Sequence, residues 1–246
     1  MNLFRAVKDL IKNNDNVILD GTTLGYPEIL TLLHLFNEIG VCINIIIYYA
    51  EPEEYKSKKD FEKTDKEYEL SDDFQDHKYV KPFILYEPQD SAASEKASLI
   101  SLIGFEESRL GRIIEDNDSN YNRFISIVAV PGFKTGWENI SISKHIHLFD
   151  KEENLFYVPS DNPYETYKIL EKITYPLSGK RIILIPLGTK PCTIGMSVFL
   201  VNKRSQLKKE LKPIKIATRY DFPVKKSKRS EGISKIYEYN LEIANS

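Results

Sequence analysis

Residues 181–201, RIILIPLGTKPCTIGMSVFLV, decide how this chain is read. Ile182, Ile183, Leu184 and Ile185 make a short apolar run, the pattern of a strand covered on both faces. Gly188, Thr189 and Lys190 follow at once, and Pro191 stands where the first turn of a helix tolerates a missing N–H. The stretch therefore reads as a buried strand, a tight turn and an apolar helix. Such a turn offers backbone N–H groups, a hydroxyl and an ammonium at a helix N-terminus, which suits an anionic group. This is a candidate phosphate-type site, and it leaves the reaction open.

Outward from this stretch, strands alternate with helices. Residues 16–20 read as a short strand, 26–39 as a helix with Leu30, Leu33 and Phe36 on one stripe, and 41–49 (VCINIIIYY) as an isoleucine-rich strand. Strand, helix and strand within about 35 residues form a βαβ unit with parallel strands and a right-handed crossover. Compact apolar runs recur at 99–105, 124–131 and 182–185. Helices are expected at 108–115 and 163–173, the second capped by Asp161 or Asn162. Residues 51–90 break the alternation: the first half is charged, and 78–87 (KYVKPFILYE) looks like a strand. The segments KIATRYDF and KIYEYNLEI supply two more strands near the C-terminus, placed as an antiparallel edge. The fold class is α/β, a Rossmann-like, mostly parallel sheet with helices on both faces. Residues 1–246 are read as one domain carrying an insertion at about 51–90.

Bulk properties narrow the class. Hydrophobic residues make up 41% and charged residues 28%, which fits a globular protein and not a disordered one. No apolar run reaches the roughly 18 residues of a membrane span. The N-terminal residues read as an amphipathic helix and not as a signal peptide. Cys42 and Cys192 sit in apolar surroundings and read as buried reduced thiols, which places the protein in the cytoplasm. No CxxC pair occurs and the four histidines are scattered, so no metal is expected, and no cofactor either. Net charge is only −2, yet it is polarised. Residues 51–76 are acid-rich, whereas 203–235 are lysine- and arginine-rich against only Glu210, Asp221 and Glu231. That distribution suits an anionic partner at one end, or simply a solvated face.

Open parallel sheets bind ligands beyond the carboxyl ends of their strands. The loop after the first strand is Asp20-Gly21-Thr22-Thr23-Leu24-Gly25, with two hydroxyls ahead of a helix. After the strand ending at Phe105 come Glu106, Glu107, Ser108 and Arg109, and after Val130 come Pro131, Gly132, Phe133, Lys134, Thr135, Gly136 and Trp137. The candidate ligand-binding set is Thr22, Thr23, Arg109, Lys134, Thr135, Gly188, Thr189 and Lys190. Each loop alone equally suits an ordinary strand-to-helix turn, and the convergence of four carries the argument. Walker A, GxGxxG, HExxH and GxSxG patterns are absent. His145 and His147 alternate in SKHIHLFD as on a strand, too few ligands for a metal. Asp20, Glu106, Glu107, Glu115, Asp116 and Asp118 are available acids, with no catalytic role assignable from sequence.

The turn Pro186-Leu187-Gly188-Thr189-Lys190-Pro191, with Gly195 and Met196 on the following helix, resembles the signature of CRISPR-associated Rossmann-fold (CARF) domains, sensors of cyclic oligonucleotides. Thr22 and Thr23 stand where that family carries a second ligand loop. The match covers about a dozen residues. The Asp20 to Gly25 loop departs from the family pattern, and neither a helix-turn-helix nor a nuclease domain is appended. The resemblance implies a homodimer binding a small cyclic RNA-like anion in a prokaryotic defence system. It would act as a subunit of a larger assembly, or as an enzyme degrading the signal, with a hydroxyl and Lys190 positioning a 2′-OH and stabilising phosphate charge. Two alternatives stand beside this nucleotide-binding reading. One is a nucleotide- or nucleic-acid-processing hydrolase or transferase using Asp20, Glu106 or Glu107 with Arg109 or Lys134. The other is a non-catalytic interaction subunit.

Overall fold

The computed structural model describes residues 3–12, 16–40, 43–55, 72–85, 96–115, 121–149, 154–225 and 230–243. Cys42, Asp116, Asp118 and the middle of the insertion lie outside them. The central sheet has six strands in the order β4-β9-β8-β5-β6-β7. Its elements are β4 (Asp72–Tyr79), β5 (Ala97–Ile103), β6 (Tyr121–Ala129), β7 (Leu155–Val158), β8 (Ile182–Pro186) and β9 (Ile216–Lys225). From β9 through β7 every neighbour pair is parallel, and β4 runs antiparallel on the β9 edge. Along the chain, β5, β6 and β7 spread to one side and β8 and β9 to the other. The order therefore reverses between β5 and β8, the topological switch point of a doubly wound sheet.

All seven residues of β5 and all five of β8 are buried, as an apolar run covered on both faces requires. Ile100, Leu102, Ile182 and Leu184 pack into one cluster with Leu170 and Ile173 of α5 (Pro163–Thr174) and the buried side of α6 (Lys190–Lys209). Leu99, Ile103, Ile183 and Ile185 pack into the opposite one with Leu110 and Ile113 of α3 (Glu107–Glu115) and Ile142 of α4 (Trp137–His145). Helices thus cover both faces. The expected N-cap of α5 is Asn162, whose side chain accepts from the Tyr164 and Glu165 N–H groups at 3.0 and 3.2 Å.

The first two strands do not enter that sheet. β1 (Asn16–Asp20) and β2 (Ile43–Glu51) pair in parallel, as the βαβ reading requires, but with β11 (Lys235–Ile243) they form a separate three-stranded sheet. The physical reason lies in β1 itself: Val17 and Leu19 are buried while Ile18 between them is 66% exposed. A strand that alternates in this way has one covered face, unlike β5 and β8. The covered face packs on the layer formed by α2 (Tyr26–Ile39), α5 and α6, with α1 (Leu3–Ile11) adding Val7 and Ile11. Sandwiched between two sheets, α6 buries residues all round its first three turns, from Pro191 through Val201 with few interruptions.

Three further expectations are corrected. The strand read at 78–87 is β4, residues 72–79, and it ends at a turn in which the Phe83 N–H donates to the Val80 carbonyl. β9, expected at an edge, lies inside the central sheet and parallel to β8. His145 and His147 lie not on a strand but at the end of α4 and in the 3₁₀ turn Ile146–Leu148. The short β7 was not anticipated.

Candidate functional site

A cavity of about 450 Å³ opens beyond the carboxyl ends of β5 and β8, where the strand order reverses. That volume falls within the roughly 300–1,000 Å³ typical of small-molecule sites. Two glycines make the crevice. A Cβ on Gly104 would overlap the Leu187 carbonyl oxygen, and one on Gly188 would sit 2.8 Å from Leu102 Cβ. The chain leaving β5 and the chain leaving β8 therefore approach as closely as backbones allow.

One end of the cavity is polar. Thr189 stands at the N-cap of α6, but no side chain caps that helix, because the Thr189 hydroxyl donates to the Ser160 carbonyl at 2.7 Å. The N-terminus of a twenty-residue helix thus faces the crevice with its partial positive charge. Lys190 Nζ donates to the Leu24 carbonyl at 2.6 Å and ties α6 to the loop after β1. In that loop Thr22 lines the cavity and its Oγ1 accepts from the Ala50 N–H, whereas Thr23 donates to Asp20 Oδ2. That bond from Thr23 holds the Asp20 carboxyl below its ordinary range.

Arg109 lies in the wall, with its guanidinium fork on Asp221 at 2.6 and 2.8 Å and its third nitrogen on Glu106 at 2.8 Å. Burial is the largest single influence and opposes its charge, but the Asp221 bond and the charges of Asp221 and Glu106 together outweigh it and raise its pKa. One buried cation is thus balanced by two carboxylates, so Arg109 adds no net positive charge to the site.

The other end is aromatic. Tyr55, Phe105 and Trp137 contact one another at centroid separations of 5.3–6.2 Å. Tyr49 and Phe133 stand 6.1 Å apart on the facing side, while Tyr26 and Tyr220 complete the lining. The lid over this end is a two-stranded ribbon, β3 (Glu54–Tyr55) with β10 (Ser230–Glu231), which continues the β2–β11 ladder beyond the small sheet. Lys134 donates to the Glu53 carbonyl and lies 5.3 Å over the Trp137 ring, so it braces the ribbon.

Behind the ribbon the Glu51 carboxyl is buried, accepting from the Tyr49 hydroxyl and, at 3.5 Å, from the Tyr55 hydroxyl. Burial pushes its pKa up to about 7, against the pull of the two tyrosines and Lys134. Glu138, at the start of α4, also lines the cavity, and its buried Oε2 has no hydrogen-bond partner among the described residues.

Of the residues singled out from the sequence, Thr22, Arg109, Gly188, Thr189 and Lys190 come together on the lining, and Thr23, Lys134 and Thr135 are not part of it. Of the acids singled out from the sequence that are among the described residues, only Glu106 reaches the cavity. Asp20 turns to its own loop, and the exposed Glu107 pairs with His147 Nε2 at 3.5 Å. The sequence reading missed Tyr26, Tyr49, Tyr55, Phe105, Glu51 and Glu138. A signal existed in IIIYYAEPEEY, where three glutamates and three tyrosines close an apolar strand. Among the described residues no group of three or more His, Cys, Asp or Glu side chains is placed to hold a metal, and no helix is long and apolar enough to cross a membrane.

Fold and crevice together define a Rossmann-type α/β protein with a ligand-sized cavity at its switch point. No protein-family model matches the chain, and no curated protein matches it in sequence.

Proposed function

We propose that the crevice binds a nucleotide-type ligand, its anionic group at the α6 N-terminus and its flat ring in the aromatic end. The observation that carries this reading is the polarity of one cavity. An uncapped helix N-terminus with Lys190 and Thr22 stands at one end, and Tyr49, Tyr55, Phe105, Phe133 and Trp137 stand at the other. Helix N-termini favour phosphate, and aromatic faces stack on bases of any sequence, each stack contributing about 1–3 kcal/mol. The resemblance of the Gly188-Thr189-Lys190 turn to CARF domains extends the proposal. The ligand is then a signalling oligonucleotide, and the chain is a sensor, or a degrading enzyme, of a prokaryotic defence system that works as a dimer.

A thermal-shift screen against mono-, di- and cyclic oligonucleotides tests the reading. A ligand at 100 times its Kd adds about 2.7 kcal/mol of stability. The shift is expected to vanish in Lys190→Ala, whose unliganded melting temperature is expected to fall by a few degrees because the bond to the Leu24 carbonyl is lost. Equal shifts in both proteins would remove Lys190 from the site, and incubation of the full chain with any hit reads turnover separately.

A further inference from the structure

Beside the one indole N–H of Trp137, the aromatic end of the cavity carries acceptors that have no hydrogen left to give. A tyrosine hydroxyl has one hydrogen. That of Tyr49 is spent on Glu51 Oε2 and that of Tyr55 on Glu51 Oε1, with the two hydroxyls also within reach of each other. What Tyr49 and Tyr55 have left is oxygen lone pairs. Glu138 adds a buried carboxylate oxygen with no partner among the described residues, and such a group is satisfied only by an N–H or O–H donor.

The geometry points to a specificity device: Glu51, by taking the hydrogens of Tyr49 and Tyr55, makes the aromatic end select a ring that bears an amino group, an aminopurine or aminopyrimidine base. The inference rests on the nucleotide reading of the cavity and deepens it. Glu51 is not on the lining, so it acts as a positioning residue through the two tyrosines that are.

The device is reversible. A protonated Glu51 has a hydrogen of its own to donate to the Tyr55 oxygen, which releases the Tyr55 hydrogen toward the cavity and turns an acceptor into a donor. The groups facing Glu51 are Tyr49 on its own strand, Tyr55 on β3, Lys134 on the loop before α4, and Tyr237 and Tyr239 on β11. Only Lys134 among them is charged at neutral pH, and it favours the ionised carboxyl. Burial sets the balance near neutrality. Amino-bearing ligands therefore favour ionised Glu51 and expel its proton.

Calorimetric titration of the full chain with AMP and with purine riboside 5′-monophosphate, which lacks only the 6-amino group, tests this. Both probes carry the same phosphate, so its own titration cancels in the ratio of their affinities. At pH 8 AMP is expected to bind roughly ten- to a hundredfold more tightly, the effect of leaving buried acceptors unpaired. At pH 6 the ratio is expected to narrow. In Glu51→Gln, whose amide donates to Tyr55 as the protonated acid would, the ratio is expected to stay narrow at both pH values, with the melting temperature reporting that the variant is folded. If Glu51→Gln fails to fold, the wild-type ratio at the two pH values decides. Equal binding of both probes at pH 8 overturns the specificity device and leaves the nucleotide reading standing. Binding of neither overturns that reading and the device with it.

Discussion

Glu51 sits in surroundings that a carboxyl rarely occupies. A carboxyl on the covered end of a strand, 2% exposed, has given up its hydration for two phenol hydroxyls and a nearby ammonium. Its folded pKa, about 7, lies above the ordinary value of 4.5, so the folded state holds a proton that the unfolded chain has released. That contribution to stability is complete below about pH 4.5 and is lost as pH rises through 7. Chemical denaturation at pH 5 and pH 7.5 is expected to show wild type losing on the order of 2–3 kcal/mol relative to Glu51→Gln, whose amide does not titrate. Parallel curves for the two proteins would mean that Glu51 ionises freely in the fold. Lys190 presents the opposite case, for its place on the cavity lining was legible from the turn that carries it. Glycine, threonine, lysine and proline in that order have a local meaning at a helix start. Two partners of Glu51, Tyr49 and Tyr55, stand two and four residues away in the same stretch, whereas Lys134 comes from the loop before α4 and no spacing in the sequence announces it.

Among the elements, those with a strong period were readable and those defined by their neighbours were not. β5, β8, α2 and α5 follow from apolar runs and a cap, and their observed bounds differ from the expected ones by a few residues at most. That β1 and β2 leave the main sheet is written in the alternation of NVILD, which buries Val17 and Leu19 and exposes Ile18. α4 carries almost no apolar stripe, with only Ser141 and His145 buried along it, so periodicity could not find it. The packing of α6 is likewise a matter of contact. A Cβ at Gly195 would overlap the Pro163 carbonyl oxygen, so α5 and α6 touch backbone to backbone there. Gly195→Ala is expected to cost about 3 kcal/mol or more, read as a lower denaturation midpoint, because two buried helices must separate. Gly111→Ala, where nothing lies within 4 Å, is the control and is expected to be neutral or slightly stabilising. Equal effects at the two glycines would contradict this account of the α5–α6 contact.

At the scale of the whole molecule, the accessory sheet matters because of where its long strands end. β2 and β11 run across the layer of α2, α5 and α6 and then reach past it as the β3–β10 ribbon, so the lid of the crevice is the overhang of a sheet anchored in the core. Tyr239 pins that sheet by donating to the Asp161 carbonyl at 2.8 Å, and the Ser234 N–H donates to the Glu51 carbonyl where ladder becomes ribbon. Ligand in the crevice is expected to slow amide exchange in residues 53–55 and 230–234 more than in β5 or β8, whose amides lie deep in the central sheet. Protection confined to the α6 end would place the ligand away from the ribbon. The class of fold was legible in the sequence and the layering was not, since the layering depends on which of two sheets a strand joins. We propose that this crevice is a nucleotide site built on the α6 N-terminus. Calorimetric titration of wild type and Lys190→Ala with the same mono- and cyclic oligonucleotides tests it most directly. Saturable binding by wild type that weakens at least tenfold in a folded Lys190→Ala is the predicted result; no binding of any nucleotide by wild type would contradict it.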